Sequence, residues 1–585
     1  MRLTFETVSL VVLAIASAVL VPLRAQQVTG GIIGTVVDST GSAVPGASVT
    51  VKDVDTNLQI KLTTSITGSY QATNLPIGNY SVSFGKEGFK TETHPSILVQ
   101  GDRIATVNGS LQVGTVATTV EVTGTPLLNE VNTTTGYVLD TTAINNVPLG
   151  TGSFTQLALL SPGISADFLN GSGSNAGLGN QAIWSNGQRD SSNSFTINGA
   201  SADNLFNGKS SSGVASNRFT SNTGTANLPG GDLQTSGSVY DAIGQGLPTP
   251  APEMIQEMRV NSGLYDASQG GKSGAQIETT TRSGTNAFHG MAYDHFENND
   301  LNANEFFRNS APNTAATGLP ANNGLTANAP VLHYNRYGAD VGGPVFKDKL
   351  FFFGGYQGIA DHDATAGTST MTVPQHLTDD RSAQGLANMV LADYGKTIAP
   401  SAISPAALNL FNAKVGNQYL IPTPTITGSA AVALGYDAIL LAPAKFEANM
   451  GVGDLDYLVS DKDRLALKFF TQTNPTTNPF GGSPTLGFAK VTQAGAQTAT
   501  LDNTTILSPT MTWQNKASFV REVTYGQTTQ PFTPGSLGID IFGSTSFPGI
   551  TISKSDGTLP TSISKSLTVG PSSNFANAGS YQNNY

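Results

Sequence analysis

The sequence predicts an all-β protein: an N-terminal seven-stranded β-sandwich, a mixed middle domain, and the first part of a transmembrane antiparallel β-barrel. Its 585 residues exceed the usual length of one domain, so several domains are expected. Only 12% of the residues are charged, about half of the roughly 25% that is usual for soluble globular proteins. The mean hydropathy of -0.08 excludes an α-helical membrane protein. Low charge without high hydropathy is typical of barrel strands that alternate apolar and small polar residues.

The remaining composition excludes several partners and chemistries. The net charge of -11 argues against a nucleic-acid partner, because the sequence has no basic patch to offset it. The chain has no cysteine, which excludes disulfides, thiolate chemistry, cysteine-ligated zinc and a lipoprotein anchor.

Residues 1–25 have the pattern of a secretory signal peptide. Arg2 precedes an apolar run over residues 8–21, which has signal-peptide length and is short for a membrane-spanning helix. Ala25 marks the expected cleavage point. An uncleaved anchor is the alternative interpretation.

Residues 28–113 are predicted to form a small antiparallel sandwich, because apolar and polar residues alternate between closely spaced turn signals. The stretches 34–49 and 68–82 resemble the carboxypeptidase regulatory-like domain, which has a carbohydrate-binding-like fold. That name implies no catalysis here, since a zinc peptidase needs a set of His and Glu ligands. The module has one histidine, His94, which is predicted to be a solvated loop residue.

The middle domain is expected over residues 126–284. Short helices that end at proline turns are predicted near residues 145–149 and 155–163, and a glycine-rich strand closes the domain at 270–284. This arrangement resembles the plug domain of TonB-dependent outer-membrane receptors. The resemblance implies the plug-core residues Asn186, Gly187, Arg189, Asn198, Gly199, Gly270, Gly271 and Arg282. Asn198 stands where aspartate is common in the family, which keeps a turn-forming side chain but removes a charge.

Residues 114–125 are interpreted as a linker that contains a candidate coupling peptide. The resemblance implies that a TonB box lies in this position, and the β-prone residues there are Thr119, Val120, Glu121, Val122 and Thr123. Such a box adds as a strand to a periplasmic energiser protein. A plain linker strand is an equal alternative, and a box nearer Gln26 and Gln27 is another.

Residues 285–585 are predicted to form the partial barrel. Arg336 and Asp340 alternate with Tyr337 and Val341, which indicates a polar inner face and an apolar outer face. Tight turns between strands are predicted within the stretches 342–356, 454–465 and 504–513, whereas residues 356–448 show no strand ladder. Short turns that alternate with long excursions are typical of outer-membrane barrels. The stretch 342–356 closely resembles Oar-like receptors, whose barrels have about 22 strands, against about seven or eight expected here.

No catalytic or metal-binding constellation is predicted. His289 and His295 share a strand face but lie too far apart for one metal ion, and residues 361–363 are interpreted as a solvated loop. The sequence lacks a P-loop, a nucleophile elbow and a zincin motif. The expectation is therefore a protein that is not an enzyme and has no cofactor.

The resemblance implies a TonB-dependent receptor that takes up a scarce nutrient, such as a glycan, a peptide or a siderophore, across the outer membrane. Its implied partners are a TonB-type periplasmic energiser protein, outer-membrane lipid and an extracellular ligand, with the N-terminal domain in the periplasm. The alternative is a secreted or surface adhesin or structural protein without transport. An adhesin would repeat the sandwich pattern of residues 30–113 after residue 285, and the sequence does not repeat it.

Overall fold

The structure is a computed structural model that carries the protein chain alone. It describes residues 29–101, 103–114, 119–121, 136–149, 152–166, 180, 183–205, 247–263, 265, 271–303, 332–363, 368–428, 431, 436–480, 483–508, 511–552, 567–571 and 578–584. The predicted signal peptide, Gly270, Val122 and Thr123 lie outside these residues.

The N-terminal module is a sandwich of two sheets. One sheet contains β1 (Gly30–Asp38), β4 (Ser69–Leu75), β7 (Ile104–Thr106) and β8 (Gly109–Leu111). The other has the order β3 (Gln59–Thr63), β2 (Ser48–Asp53), β5 (Gly78–Gly85), β6 (Thr91–Val99) and β9 (Thr119–Glu121). Both sheets contribute to one apolar core that includes Ile32, Val49, Val82, Phe84 and Leu111.

The predicted seven strand positions are present within residues 28–113. Strands β7 and β8 pair with β1 in one continuous register, so they are two halves of a single edge strand. The antiparallel expectation is wrong for this edge, because both halves run parallel to β1. The chain crosses from β6 in one sheet to β7 in the other, which allows it to return in the direction of β1.

His94 lies in a strand rather than in a solvated loop. It is 9% exposed in β6, packs edge-on against Phe84 and has Nε2 2.9 Å from Glu92 Oε1. The loop was predicted because a proline follows His94, and proline usually interrupts a strand. That prediction is wrong, since β6 continues through Pro95. Pro95 instead sits where the β5–β6 register shifts, a position at which a strand tolerates proline.

Residues 28–113 are expected to fold alone as a soluble, all-β unit, because the two sheets enclose their own core. Its core consists of apolar side chains, which are not metal ligands, so a chelator should leave folding unchanged. Circular dichroism and a thermal melt with and without chelator test this. A disordered spectrum, or a melting temperature that falls with chelator, would contradict it.

The middle domain combines a sheet with short helical turns, as predicted. Its five-stranded sheet has the order β10 (Gly136–Asp140), β15 (Ile255–Asn261), β16 (Gln276–Thr281), β13 (Ser194–Ile197) and β14 (Ala200–Ser201). Helix α1 (Thr141–Asn146), a 3₁₀ helix (Phe154–Leu160) and the pair β11 (Ile164–Ala166) and β12 (Ile183–Ser185) complete it. Asp140 caps α1, since its Oδ1 accepts a 2.8 Å hydrogen bond from the Ala143 N–H.

The third part is one antiparallel sheet of eight strands. In order they are β17 (His289–Asn298), β18 (Leu332–Phe346), β19 (Leu350–Asp363), β24 (Ala444–Leu458), β25 (Asp463–Asn478), β26 (Lys490–Ser508), β27 (Met511–Thr528) and β30 (Ala578–Asn584). Within the described residues β17 and β30 each have one neighbour, so the sheet is open like part of a barrel. Residues 361–363, expected in a loop, end strand β19.

The alternation predicted for this sheet is confirmed. Arg336 and Asp340 are 8% and 6% exposed on the inner face, whereas Tyr337 and Val341 are 43% and 49% exposed on the outer face. The outer face continues as an apolar band of Leu455, Leu467, Phe469, Leu501 and Trp513. This face has the composition that contact with lipid requires.

The long excursions at one end of the sheet pack into a body that we call the loop cap. It contains β20 (Thr368–Met371), α2 (Ala383–Tyr394), α3 (Pro405–Asn412), β21 (Lys414–Val415), β22 (Gln418–Tyr419), β23 (Ala438–Leu441), β28 (Ile550–Ile552) and β29 (Leu567–Val569). Leu386, Leu420, Phe488 and Phe547 belong to its shared core. None of the helices in the described part of the chain is long and apolar enough to span a membrane.

A junction of sandwich, middle domain and barrel wall

The predicted residues Asn198 and Gly199 form the tight turn between β13 and β14. Both have positive φ, 54° and 75°, which a two-residue hairpin of this kind requires. Asn198 is 5% exposed, and its Oδ1 accepts hydrogen bonds from the N–H and the hydroxyl of Thr281, at 3.0 and 3.1 Å. The asparagine therefore joins this turn to the end of β16 without a charge.

The other predicted core residues have separate positions. Asn186 and Gly187 form a turn with positive φ, and Asn186 Nδ2 donates to the Ser262 carbonyl. Asn186, Gly187, Arg189 and Gly271 are all exposed, and their role in a plug stays a prediction. Arg189 precedes a 3₁₀ turn (Asp190–Ser192), which directs the chain into β13 while its own side chain stays at the surface.

Arg282 is the predicted residue that reaches the barrel wall. Its Nη1 lies 3.3 Å from Oδ1 of Asp340, a carboxylate whose side chain is fully buried on β18. Its guanidinium also lies 5.5 Å from the ring centroid of Phe353 on β19. The segment that closes the middle domain is thus held to two neighbouring strands of the wall.

Further polar contacts join the middle domain to the inner face of the sheet. Arg336 Nη1 lies 2.9 Å from Oε1 and 3.1 Å from Oε2 of Glu253. Lys468 Nζ donates a 2.9 Å hydrogen bond to Ser283 Oγ while pairing with Asp454. Two backbone N–H groups also donate to wall side chains: Thr249 to Gln472 and Leu205 to Glu522, at 2.8 and 2.9 Å.

An apolar cluster of described residues also crosses this interface. Ala251 and Met254 of the middle domain cluster with Phe353, Val452 and Phe470 of the wall. The sequence did not identify Glu253 or Met254 as interface residues. The pattern that could have shown them is the proline-started turn at 252–254, whose polar and apolar residues lead into an almost wholly buried strand.

The sandwich contacts both other parts at the end of the sheet where the turns are short. Asn57 Nδ2 and Asn286 Nδ2 both donate to Asp348 Oδ1, at 2.6 and 2.8 Å, in the turn between β18 and β19. Gln256 Nε2 donates to the Ile77 carbonyl at 3.3 Å. A cavity of about 110 Å³ lies at this junction, lined by charged residues that include Asp53, Asp456, Lys468 and Lys516.

Glu257 is the buried carboxyl group of the sandwich contact. It is 5% exposed in β15, and its Oε1 accepts a 2.9 Å hydrogen bond from the Gly101 N–H. Burial raises the pKa of Glu257 to about 7, although the Gly101 hydrogen bond and the charges of Arg259 and Arg103 oppose the shift. The docked arrangement therefore favours the protonated form of this group.

Docking of the sandwich is expected to weaken as the pH rises from about 5 to 7. Glu257 holds its proton more tightly in the docked state than in an undocked state, where its carboxyl has an ordinary pKa. Each rise of one pH unit in this range therefore lowers the docking equilibrium constant by up to roughly ten-fold. Energy transfer between dyes at Thr67→Cys and Lys462→Cys measures docking in a chain without other cysteines. Glu257→Gln keeps an acceptor for Gly101 and should remove the dependence; an unchanged pH profile in that variant would contradict the assignment.

No group of three or more histidine, aspartate or glutamate side chains in the described part of the chain is placed to hold a metal ion. His289 and His295 do share the inner face of β17, where His289 stacks on Phe353 and His295 Nε2 lies 3.7 Å from Glu253 Oε1. Both histidines therefore belong to the contacts around the wall. The middle domain therefore contacts the inner face of the barrel sheet through several polar groups, and we call this set of contacts its seat.

The model of the outer membrane beta barrel domain matches residues 280–585, slightly more than half of the chain. The chain belongs to this family. Residues 31–112 match the carboxypeptidase regulatory-like domain, as the sequence of the sandwich predicted. Family membership and the relative described next locate the protein in the outer membrane.

A curated relative is the TonB-dependent transporter Oar of Myxococcus xanthus. It is 27% identical over 336 residues, which are 56% of this chain and 26% of the transporter. The chain thus spans about a quarter of the length of this relative.

Solved structures with similarity include the outer membrane transporter YddB from Escherichia coli and the siderophore receptor PirA from Acinetobacter baumannii. YddB has a TM-score of 0.42 and 12% identity, covering 77% of this chain and 44% of its own. PirA has a TM-score of 0.31 and 11% identity, and the match covers 69% of this chain and 46% of PirA.

Proposed function

We propose that the protein acts as a TonB-dependent receptor for energised uptake across the outer membrane, and that it is not an enzyme. The middle domain is the plug in this proposal, and the barrel wall is the channel that it closes. The observation that carries the proposal is the polar seat of the middle domain on the inner face of the sheet. The relative named as a TonB-dependent transporter supports the same class of activity.

The seat suits a plug that must move. Arg282 with Asp340 and Arg336 with Glu253 are ion pairs, and the apolar cluster around Met254 has six buried members among the described residues. Water can replace polar contacts when a domain shifts, whereas exposing a large apolar core would cost about 25 cal/mol for each Å². A plug held mainly by polar contacts can therefore leave its seat and return.

We place the coupling strand at residues 119–123. Residues 119–121 form β9, which pairs in parallel with Thr91 to Thr93 of β6 at the edge of the sandwich. The segment thus already takes part in strand addition within its own chain, which is the mode that an energiser protein would use. An energiser must compete with β6 for β9 in this arrangement.

The cargo that we propose is a scarce nutrient: a glycan, a peptide or a siderophore. A glycan or a peptide is favoured because the sandwich belongs to the carboxypeptidase regulatory-like domain, whose fold is carbohydrate-binding-like. The alternative of an adhesin gains no support after residue 285. The described residues there form an open sheet with an apolar outer face and a loop cap, with no second sandwich among them.

A reversible covalent link between plug and wall tests the proposal. A Cβ atom built at Gly355 would lie 3.3 Å from Cγ of Met254, so Met254→Cys with Gly355→Cys brings two thiols together in a chain without other cysteines. Oxidation should lower the uptake of labelled maltodextrin, peptide or ferric siderophore in proportion to the cross-linked fraction, and reduction should restore it. Each single variant is the control. Full uptake by a completely cross-linked protein would refute a moving plug.

A further inference from the structure

A groove of about 680 Å³ runs over the outer face of the barrel sheet near its short turns. Leu455, Leu467 and Leu501 form its floor, because they are cross-strand partners on β24, β25 and β26. Each of these leucines is 45% exposed. The volume falls within the roughly 300–1,000 Å³ that is usual for sites of small molecules.

Two lysines stand at the end of the groove. Lys347 and Lys349 flank Asp348 in the turn between β18 and β19, and both are exposed. Lys349 Nζ lies 5.9 Å from the ring centroid of Tyr457, which also lines the groove. Of the described residues that line the groove, these lysines are the only charged ones.

The carboxylate between the lysines does not cancel their charge at the groove. Asp348 has a φ of 60°, and its Oδ1 accepts hydrogen bonds from Asn57 of the sandwich and from Asn286, which precedes β17. The next short turn carries Asp461 beside Lys462, whose charges offset each other. The groove therefore joins an apolar floor to a net positive end.

We infer that this groove binds an anionic glycerophospholipid of the periplasmic leaflet. An acyl chain would lie on the leucine floor, and the phosphate of the headgroup would lie between Lys347 and Lys349. Short turns mark the periplasmic end of an outer-membrane barrel, and the same turn contacts the sandwich through Asn57. The inference does not depend on transport, since it uses only the outer face and the membrane around it.

The bound lipid would also affect the sandwich contact. Lys347 and Lys349 immediately flank Asp348, whose carboxylate accepts from Asn57 of the sandwich. A phosphate between the lysines would fix the turn and hold Asp348 in the position that this hydrogen bond requires. The lipid site and the docking of the sandwich therefore share one short turn.

Native mass spectrometry of the full-length protein with equal amounts of phosphatidylglycerol and phosphatidylcholine tests the site. Each lysine near an anionic headgroup is worth about five-fold in affinity, so two lysines should make the protein retain phosphatidylglycerol about twenty-five-fold better than phosphatidylcholine. Lys347→Gln with Lys349→Gln should abolish this preference. Lys462→Gln, at the same end but outside the groove, should keep it.

A second variant separates the acyl chain from the charge. Leu467→Trp fills the floor on a lipid-facing position and should lower retention of both lipids without changing their ratio. Equal retention of the two lipids by the parent protein, or an unchanged preference in the double lysine variant, would overturn the proposal. Displacement of phosphatidylglycerol by lipopolysaccharide with the same lysine dependence would overturn the assignment to the periplasmic leaflet.

Discussion

Val122→Pro is expected to abolish energised uptake while leaving the receptor in the outer membrane. Strand addition to an energiser protein depends on backbone hydrogen bonds, and proline has no N–H to donate. Residue 122 directly follows β9 and lies within the proposed coupling strand, residues 119–123. Uptake of labelled maltodextrin, peptide or ferric siderophore should fall to the level of cells that lack the energiser.

Two matched variants separate coupling from folding. Val122→Thr keeps a β-branched side chain and an N–H, so it should transport nearly normally. Ala117→Pro introduces the same residue into the linker outside 119–123 and should also transport. All three variants should bind ligand at the cell surface like the parent. If Val122→Pro transports normally, residues 119–123 are only a linker, and the coupling peptide must lie nearer Gln26 and Gln27.

The barrel wall was the part of the fold that the sequence predicted best. Side chains of a strand alternate between two faces, so the polar and apolar sets of residues 336–341 already assign Arg336 and Asp340 to the inner face. Their partners could not be assigned in the same way. Glu253 lies 83 positions before Arg336, and the contact depends on how the middle domain is seated.

The loop cap and the sandwich contact were missed for different reasons. The core of the loop cap brings together Leu386, Leu420 and Phe547 from separate long loops. The alternation of apolar and polar residues reports only on neighbours in sequence, so it could not predict these contacts. Its helix α2 had a local signal, since Ser382 caps it and Gly395 ends it in the left-handed region. Glu257 had none, because β15 is buried on both faces and therefore does not alternate.

The second large effect is expected at the ion pair between Arg336 and Glu253. Arg336→Met removes the cation and leaves a carboxylate with only 13% of its side chain exposed. Loss of one partner of a buried pair costs about 3–5 kcal/mol. His295, whose Nε2 is 3.7 Å from Glu253, offsets part of this cost. A net cost of about 3 kcal/mol lowers the ratio of seated to unseated plug by roughly 100-fold. Cells with this variant should become sensitive to vancomycin, a large hydrophilic antibiotic that a seated plug excludes.

The double variant Arg336→Met with Glu253→Gln shows whether the pair or the seat as a whole is responsible. Replacing both members of a buried ion pair is often neutral, because no charge is left without a partner. Vancomycin resistance should therefore return close to that of the parent, even though the double variant departs further from the native sequence. Equal sensitivity of the single and double variants would show that the guanidinium acts by another contact. The candidates are the Tyr293 ring, 5.8 Å away, and Gln357 Oε1, 3.5 Å from Nη1. Resistance in both would show that the plug does not depend on this pair for its seat, and would shift that role to Arg282 and Asp340.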